Sequence, residues 1–245
     1  MFNISNYNKI IQEIADLGKK TEIVAVSKNH PKSSVEEALS FGLRIFGENR
    51  VQEALSKFTS IKQKYKNLQL HLTGPLQTNK VKQALSIFDV FHTLDREKLA
   101  KEFIKHEKSK EKKFFIQVNT GKEINKSGVY LENLDGFVDY CLNELKLNII
   151  GLMCIPPIDE DPKKHFSVLK ERVERLKLQD LSIGMSSDYK QAITYNAKYI
   201  RIGTALFGNR NQWSKNYKFF LIKKLKLFFL ILVNILTLLF LNYLN

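Results

Sequence analysis

The chain has 245 residues, a formal net charge of +14, 44 % hydrophobic residues and 26 % charged residues. These values are typical of a globular protein, exclude a disordered chain, and fit either one (β/α)8 barrel or two small domains. The lysines are dispersed and mixed with acidic residues, as in residues 98–111, so we expect no nucleic-acid partner.

Short β-rich runs alternate with helical patterns after a leading amphipathic helix in the first twenty residues. The predicted strands are 22–28, 44–48, 69–74, 90–94, 114–120, 149–155, 181–185 and 199–204. The helical stretches are predicted to start near Ser33, Arg50, Thr78, Arg96, Leu131, Pro162 and Ser187. Eight strands separated by seven helices predict a single (β/α)8 TIM barrel, an α/β fold, although an open doubly wound sheet alternates in the same way.

Two of these helix starts carry capping patterns. Ser33 or Ser34 is predicted to cap the helix that follows the first strand. Asp161 is predicted to cap a helix whose first residue is Pro162, a position where the missing N–H of proline costs nothing.

The sequence changes character after Arg210. Residues 1–210 are predicted to form the barrel, whereas residues 211–245 carry five lysines and no acid and include an apolar run at 227–243. Three interpretations of this tail stay open: a membrane anchor through residues 221–243, an oligomerisation helix, or a reading-frame extension with little function. The two cysteines, Cys141 and Cys154, form no CxxC pair and favour a reducing, cytoplasmic setting.

The ends of the predicted strands carry the candidate site. Lys28 ends an otherwise apolar strand, and a desolvated lysine has a lowered pKa and can form Schiff bases, although lysines at such positions often only extend to the solvent. The small and hydroxyl-bearing residues of SIGMSS and RIGT follow the last two strands, where barrels commonly bind phosphate. A lysine opposite a phosphate site suits pyridoxal 5′-phosphate (PLP), and a sugar-phosphate aldolase would need similar parts.

Several motifs occur together in one order. They are VAVSKxxP, FGENxVQE, HLTGPLQTNK, QVNTxxExxKSG, GLMCIPP, LSIGMSSD and RIGTALFG. Over about residues 20–210 they resemble the YggS/PROSC family of pyridoxal phosphate homeostasis proteins. That family is similar to the barrel domain of alanine racemase and lacks the racemase's second, β-rich domain. Arg50 stands where the family usually has tyrosine, and Asn29 and His30 stand where threonine is common.

The resemblance implies a cofactor site with no metal and no catalytic residue. The residues that it implies are Lys28, Asn49, His71, Met185, Ser186, Arg201, Gly203 and Thr204. Lys28 would hold PLP as a Schiff base, and Ser186, Gly203 and Thr204 would hold its phosphate. Arg201 would face the pyridine nitrogen, where a permanent cation keeps the ring nitrogen unprotonated and weakens its use as an electron sink. Asn49, His71 and Met185 would line the ring.

The family resemblance favours a carrier over an enzyme. We expect a monomeric, cytoplasmic protein that binds PLP and contributes to vitamin B6 homeostasis, with PLP-dependent apo-enzymes as recipients. The alternative is a PLP-dependent racemase-type enzyme with an unidentified activity. A racemase needs a second acid/base group, for which Tyr65, Tyr130 or His165 could stand in, but we interpret each of them as an ordinary surface or packing residue.

Overall fold

The computed structural model describes residues 2–208. The predicted tail at 211–245, with its proposed membrane contact at 221–243, lies outside the described residues. Within residues 2–208, no helix is long and apolar enough to cross a bilayer.

Strands and helices alternate through residues 2–208, as the sequence pattern predicts. The strands are β1 (Glu22–Val26), β2 (Ile45–Glu48), β3 (Gln69–Leu72), β4 (Val90–Leu94), β5 (Lys113–Asn119), β6 (Val129–Tyr130), β7 (Ile149–Cys154), β8 (Asp180–Ser182) and β9 (Tyr199–Ile202). The helices are α1 (Ile4–Asp16), α2 (Lys32–Ser40), α3 (Val51–Lys64), α4 (Val81–Ile87), α5 (Glu97–Ile104), α6 (Leu134–Asp139), α7 (Pro162–Arg175), α8 (Tyr189–Thr194) and α9 (Thr204–Phe207). A π-helical turn, Tyr140–Glu144, extends α6.

The sheet closes on itself. Its strand order is β4-β3-β2-β1-β9-β8-β7-β5-β6, and β4 also pairs with β5. The two-residue strand β6 lies beside β5 and is not part of the ring. The eight remaining strands are parallel and form the ring, so the predicted TIM barrel is confirmed and the open sheet is excluded.

Alternation along the strands builds two apolar layers. The larger layer packs the helices on the outside of the barrel and includes Phe46, Phe58 and Phe114. The smaller layer fills the barrel interior with Val24, Val26, Val90, Phe115, Met153 and Tyr199. Because successive side chains point to opposite faces, a strand such as β1 contributes Val24 and Val26 to the inner layer and Ala25 to the outer one.

The loop after β1 differs from its prediction. It ends at Pro31, whose extended backbone is the N-cap of α2, and no side chain caps this helix. The predicted cap at Ser33 or Ser34 is therefore wrong, because the helix begins at Lys32 and both serines lie inside its first turn. The Asp161 cap is confirmed: its carboxylate accepts from the Lys163 N–H at 3.0 Å, with Pro162 as the first residue of α7.

Gly151 lies where two barrel strands pack closely against each other. A Cβ atom added at Gly151 would lie 1.9 Å from the carbonyl oxygen of Asp180 on the neighbouring strand. We predict that Gly151→Ala lowers the free energy of unfolding by about 1–3 kcal/mol, because the backbone must move to admit the methyl group. Urea denaturation followed by circular dichroism measures this change.

Gly136→Ala is the matched control. Gly136 lies in α6, and an added Cβ there meets nothing within 4 Å, so alanine should be neutral or slightly stabilising. Equal losses of stability in the two variants would contradict the close approach at Gly151.

Candidate functional site

The turn that carries Lys28 is fixed from both sides. β1 ends at Val26, so Lys28 lies in the turn after the strand rather than at its last position, and its side chain is half-buried. The Ser27 hydroxyl donates to Glu48 Oε1 at 2.7 Å, and the Asn29 N–H donates to Glu53 Oε1 at 2.5 Å. Asn29 has a positive φ of 61°, a conformation that asparagine tolerates better than most residues. Both neighbours of Lys28 are thus held by carboxylates.

A buried lysine joins these two carboxylates. Lys57, in α3, donates to Glu48 Oε1 at 2.7 Å, to Glu53 Oε1 at 2.9 Å and to the Ser27 carbonyl at 2.8 Å. Lys57 is 6 % exposed and Glu48 is fully buried. Burial raises the pKa of Glu48, and the charge of Lys57 opposes that rise. The ion pair therefore fastens the Lys28 turn to both β2 and α3.

The loop after β9 lies next to the end of β1. These two strands pair in parallel from Glu22 with Tyr199 to Ala25 with Ile202. A Cβ atom on Gly203 would lie 3.3 Å from the Val26 carbonyl oxygen, so the RIGT loop and the Lys28 turn emerge side by side. Closure of the barrel thus brings residues from opposite ends of the described chain to one rim.

The loop after β8 meets the loop after β9. The Ala205 N–H points at Ser186 Oγ across 3.5 Å, which is the outer limit of a hydrogen bond, so both groups keep capacity for an anion. The Met185 N–H already donates to the Asp188 carboxylate at 2.5 Å. Ser186 thus offers a hydroxyl donor in this loop, beside Gly203 and Thr204.

Arg201 enters the barrel interior from β9. It is 5 % exposed, its Nη1 donates to the carbonyl and hydroxyl oxygens of Ser182 at 2.6 and 2.7 Å, and its Nη2 donates to the Cys154 carbonyl at 2.8 Å. Burial lowers the pKa of Arg201, but a guanidinium keeps its charge in proteins. Three of its five N–H groups are engaged within the described residues, which leaves two for a ligand.

The three residues expected around the ring lie at different depths. Asn49 follows β2 and its Oδ1 accepts from the Thr73 hydroxyl at 3.0 Å. Met185 is half-buried in the loop after β8. His71 is fully buried inside the barrel, where its ring bonds to His92 rather than to the residues of the rim.

A cavity of about 280 Å³ opens beside Asn49 at the same rim. Its lining includes Asn49, Thr73, Thr93, Gln117, Asn119 and Lys126. Hydroxyl, amide and ammonium groups share this wall with apolar side chains, so it suits a small ligand that carries polar groups. Within residues 2–208, no group of three or more His, Cys, Asp or Glu side chains could hold a metal ion.

The three acid/base stand-ins, Tyr65, Tyr130 and His165, do not lie together at one place. Tyr65 caps the C-terminal end of α3, at the opposite end of the barrel, where Arg44 lies 5.2 Å from its ring centre. His165 is buried, with Nδ1 at 2.8 Å from Thr120 Oγ1 and Nε2 at 3.2 Å from Glu160. Tyr130 is half-buried in β6, beside β5.

Comparisons with known proteins assign this barrel to a family. The profile of the family described as alanine racemase, N-terminal domain, matches residues 4–211. A protein of Aquifex aeolicus named pyridoxal phosphate homeostasis protein is 38 % identical over 200 residues, which are 77 % of this chain and 87 % of that protein. The Escherichia coli K12 protein of the same name is 33 % identical over 204 residues, 79 % of this chain and 87 % of that one. The chain belongs to the pyridoxal phosphate homeostasis protein family.

Solved structures agree with this family assignment. PipY of Synechococcus elongatus, determined without PLP, has a TM-score of 0.69 at 33 % identity and covers 80 % of this chain and 99 % of its own. The structure of PipY with PLP bound has a TM-score of 0.67 at 32 % identity. Alanine racemase of Acinetobacter baumannii has a TM-score of 0.64 at 18 % identity over 59 % of its chain, a likeness that shows the fold alone.

Lys57 and His92 support the site of this homeostasis protein, and neither was among the residues predicted from the sequence. Lys57 lies at helical spacing among Ala54, Phe58 and Ile61, and a lysine inside an apolar stripe is a sign of a buried ion pair. His92, likewise, occupies an inward position of β4 next to His71 of β3. Both features are visible in the sequence, but the sequence does not show which residue pairs with Lys57 or with His92.

The ion pair of Lys57 yields a stability prediction. Lys57→Met should lower the free energy of unfolding by about 3–5 kcal/mol at neutral pH, because Glu48 then stays buried without its cation and must take up a proton to avoid an unpaired charge. Without Lys57 the folded-state pKa of Glu48 lies still further above its unfolded value. The folded state then retains a proton that the unfolded state releases, so the loss should grow as pH rises from 5 to 8. Urea titrations across this range measure it.

Two further variants make this test specific. Adding Glu48→Gln to Lys57→Met removes the unpaired charge and should recover part of the stability and remove the added pH dependence. Lys101→Met, which breaks an exposed pair with Glu97, should leave the unfolding transition unchanged. Identical transitions for Lys57→Met and Lys101→Met would contradict a structural role for the buried pair.

Proposed function

We propose that this protein binds PLP at the rim formed by the ends of β1, β8 and β9, and that it contributes to PLP homeostasis as a carrier. The observation that carries the proposal is the adjacency of the Lys28 turn to the Gly203 loop across the β1–β9 pair. The family supports it, because its curated members are named for pyridoxal phosphate homeostasis and PipY has been solved with PLP bound.

The residues present fit this cofactor. Arg201 keeps two N–H groups for a ligand, which suits the unprotonated nitrogen of a pyridine ring. Ser186 Oγ and the Ala205 N–H are close to each other yet only weakly bonded, and with the Gly203–Thr204 backbone they suit a phosphate. PLP, when bound, supplies an aldehyde that a lysine amine captures reversibly as a Schiff base, and Lys28 is the amine that the tethered turn presents.

Each residue then has a distinct task. The Ser27–Asn29 turn holds the backbone on both sides of Lys28, so its side chain starts from a fixed place at the rim. Arg201 holds the ring nitrogen without giving it a proton, and Ser186 holds the phosphate. Asn49 and Met185 line the ring. Because a permanent cation beside the ring nitrogen weakens the electron sink, this arrangement favours storage of the cofactor over carbanion chemistry.

The cellular role follows from reversible binding. We infer that the protein limits free PLP and passes it as a monomer to PLP-dependent apo-enzymes. We also infer that it works in a reducing compartment, the cytoplasm. The two cysteines support this inference because both are free and buried, and burial raises the pKa of each thiol to about 12, which keeps them unreactive.

The role of Lys28 as the Schiff-base lysine is tested by trapping the bound cofactor through reduction. In the full-length protein loaded with PLP, borohydride should convert the absorbance band near the visible edge into a reduced pyridoxyl adduct, and peptide mass mapping should find the adduct on Lys28. Lys28→Ala should lose both the band and the adduct while retaining weak binding through the phosphate. Lys80→Ala, at the mouth of a neighbouring cavity, is the control and should retain both.

Two outcomes would count against this assignment. An adduct on Lys80 in the wild-type protein would move the anchor away from Lys28. Racemisation of an L- or D-amino acid that disappears in Lys28→Ala would make the protein a PLP-dependent enzyme of the racemase type rather than a carrier.

The roles of Arg201 and Ser186 are distinguished by comparing the binding of PLP with the binding of pyridoxal, which lacks the phosphate. Ser186→Ala should weaken the binding of PLP by about 1–3 kcal/mol, the contribution of a charge-assisted hydrogen bond, and leave the binding of pyridoxal unchanged. Arg201→Ala should weaken the binding of both ligands. Dissociation rates after stopped-flow dilution measure the difference, and equal rates in both variants and wild type would refute these roles.

A further inference from the structure

The barrel interior holds a row of polar side chains beneath Arg201. Ser182, His92 and His71 are each fully buried, and they lie among the apolar residues of the inner layer. Burying polar groups in such a layer is costly unless they bond to one another. Apart from His71, which the family resemblance had assigned to the ring, the proposed cofactor site does not use them.

These side chains form one continuous row of hydrogen bonds. Arg201 Nη1 lies 2.7 Å from Ser182 Oγ, and Ser182 Oγ lies 2.7 Å from His92 Nδ1. His92 Nε2 lies 2.9 Å from His71 Nδ1, and His71 Nε2 reaches Gln69 Oε1 at 3.4 Å, where β3 is exposed. The row therefore crosses the barrel from the ligand-binding rim to its opposite end.

The Gln69 oxygen sets the direction of every bond, because each neutral imidazole carries a single N–H. A guanidinium only donates and an amide oxygen only accepts. Ser182 therefore accepts from Arg201 and gives its own hydrogen to His92 Nδ1. His92 then carries its proton on Nε2 and donates it to His71 Nδ1, and His71 donates from Nε2 to Gln69. This order assigns the Nε2–H tautomer to both rings.

Both imidazoles stay neutral in this row. Burial lowers the pKa of His71 to about 3, and the charges of Lys113 and Lys62 add to the effect. Burial also lowers the pKa of His92 well below its usual value, with His71 and Arg201 adding to it. The row thus presents a chain of acceptors to Arg201 and adds no second positive charge beside it.

We propose that Ser182 and His92, backed by His71, are positioning residues that hold the Arg201 guanidinium in the plane in which it meets the pyridine ring of the ligand. Ser182 binds Nη1 through both its hydroxyl and its carbonyl, and the His92 acceptor fixes the direction of that hydroxyl. This inference rests on the proposed PLP site, because it needs the ring to lie at Arg201.

The test removes one link at a time from the full-length protein. Ser182→Ala and His92→Leu each break the row next to Arg201 and should raise the PLP dissociation rate about tenfold. His92→Asn keeps an acceptor at the Nδ1 position and should restore a rate close to wild type. Tyr199→Phe is the matched control, because Tyr199 packs edge-on against His71 at 4.9 Å and loses only its hydroxyl.

Two readouts distinguish positioning from a loss of packing. The absorbance maximum of bound PLP should shift in Ser182→Ala and His92→Leu and not in Tyr199→Phe, because the ring nitrogen has lost its oriented partner. Inorganic phosphate should compete with PLP with an unchanged constant in all variants, because the phosphate loops are untouched. A uniform weakening of phosphate competition, or variants that match Tyr199→Phe in rate and spectrum, would overturn the inference.

A measurement on the ligand-free protein keeps this inference separate from the proposed function. Nitrogen-15 NMR of the histidine rings should show two neutral Nε2–H tautomers, and Ser182→Ala should disturb His92. If wild-type protein binds no PLP at all, the proposed function fails, whatever the tautomers are. If it binds PLP but the rings show Nδ1–H tautomers, the row does not have the required direction and the positioning role fails. Should His92→Leu not fold, Ser182→Ala and His92→Asn carry the same comparison.

Discussion

Pairing of β1 with β9 is the interaction on which the candidate site depends. The two strands lie at opposite ends of the described chain, and their register runs from Glu22 with Tyr199 to Ala25 with Ile202. The Thr21 hydroxyl donates to the Ala197 carbonyl at 2.7 Å just before this register begins. Closure places the Lys28 turn beside Gly203, and neither strand by itself brings this turn next to the loops that carry Ser186 and Gly203. The chain must fold as a whole before any ligand site exists.

Buried charges hold the two sides of this site. On one side, Lys57 and Glu48 pin the Lys28 turn between β2 and α3. On the other side, Arg201 is fixed by Ser182 and the Cys154 carbonyl. Such groups contribute little net stability because they lose their hydration, but each has a single set of partners and so fixes one geometry. Preorganisation of this kind lowers the cost of binding, since the ligand need not order the site when it binds.

Much of the fold could be predicted because its information is local. The eight barrel strands follow from short β-rich runs between helical patterns, and Asp161 with Pro162 marks a helix start through its immediate neighbours. Predictions failed or fell short where distant contacts decide. Ser33 and Ser34 look like caps, yet the loop geometry starts the helix at Lys32. His71, which the family resemblance assigns to the cofactor ring, is buried with its ring hydrogen-bonded to His92, a contact that the register of the strands decides.

The sequence by itself determined the family motifs, the alternation of strands and helices, and the identity of the residues at the strand ends, because these depend on neighbours along the chain. Lys28, Ser186, Arg201 and Gly203 could be named in this way. Only the tertiary structure decided that the sheet closes, that Lys57 reaches Ser27 and Glu48, and that Arg201 stands at the end of a row through Ser182, His92 and His71. These contacts join residues far apart in sequence, and no local preference encodes the register of parallel strands that sets them.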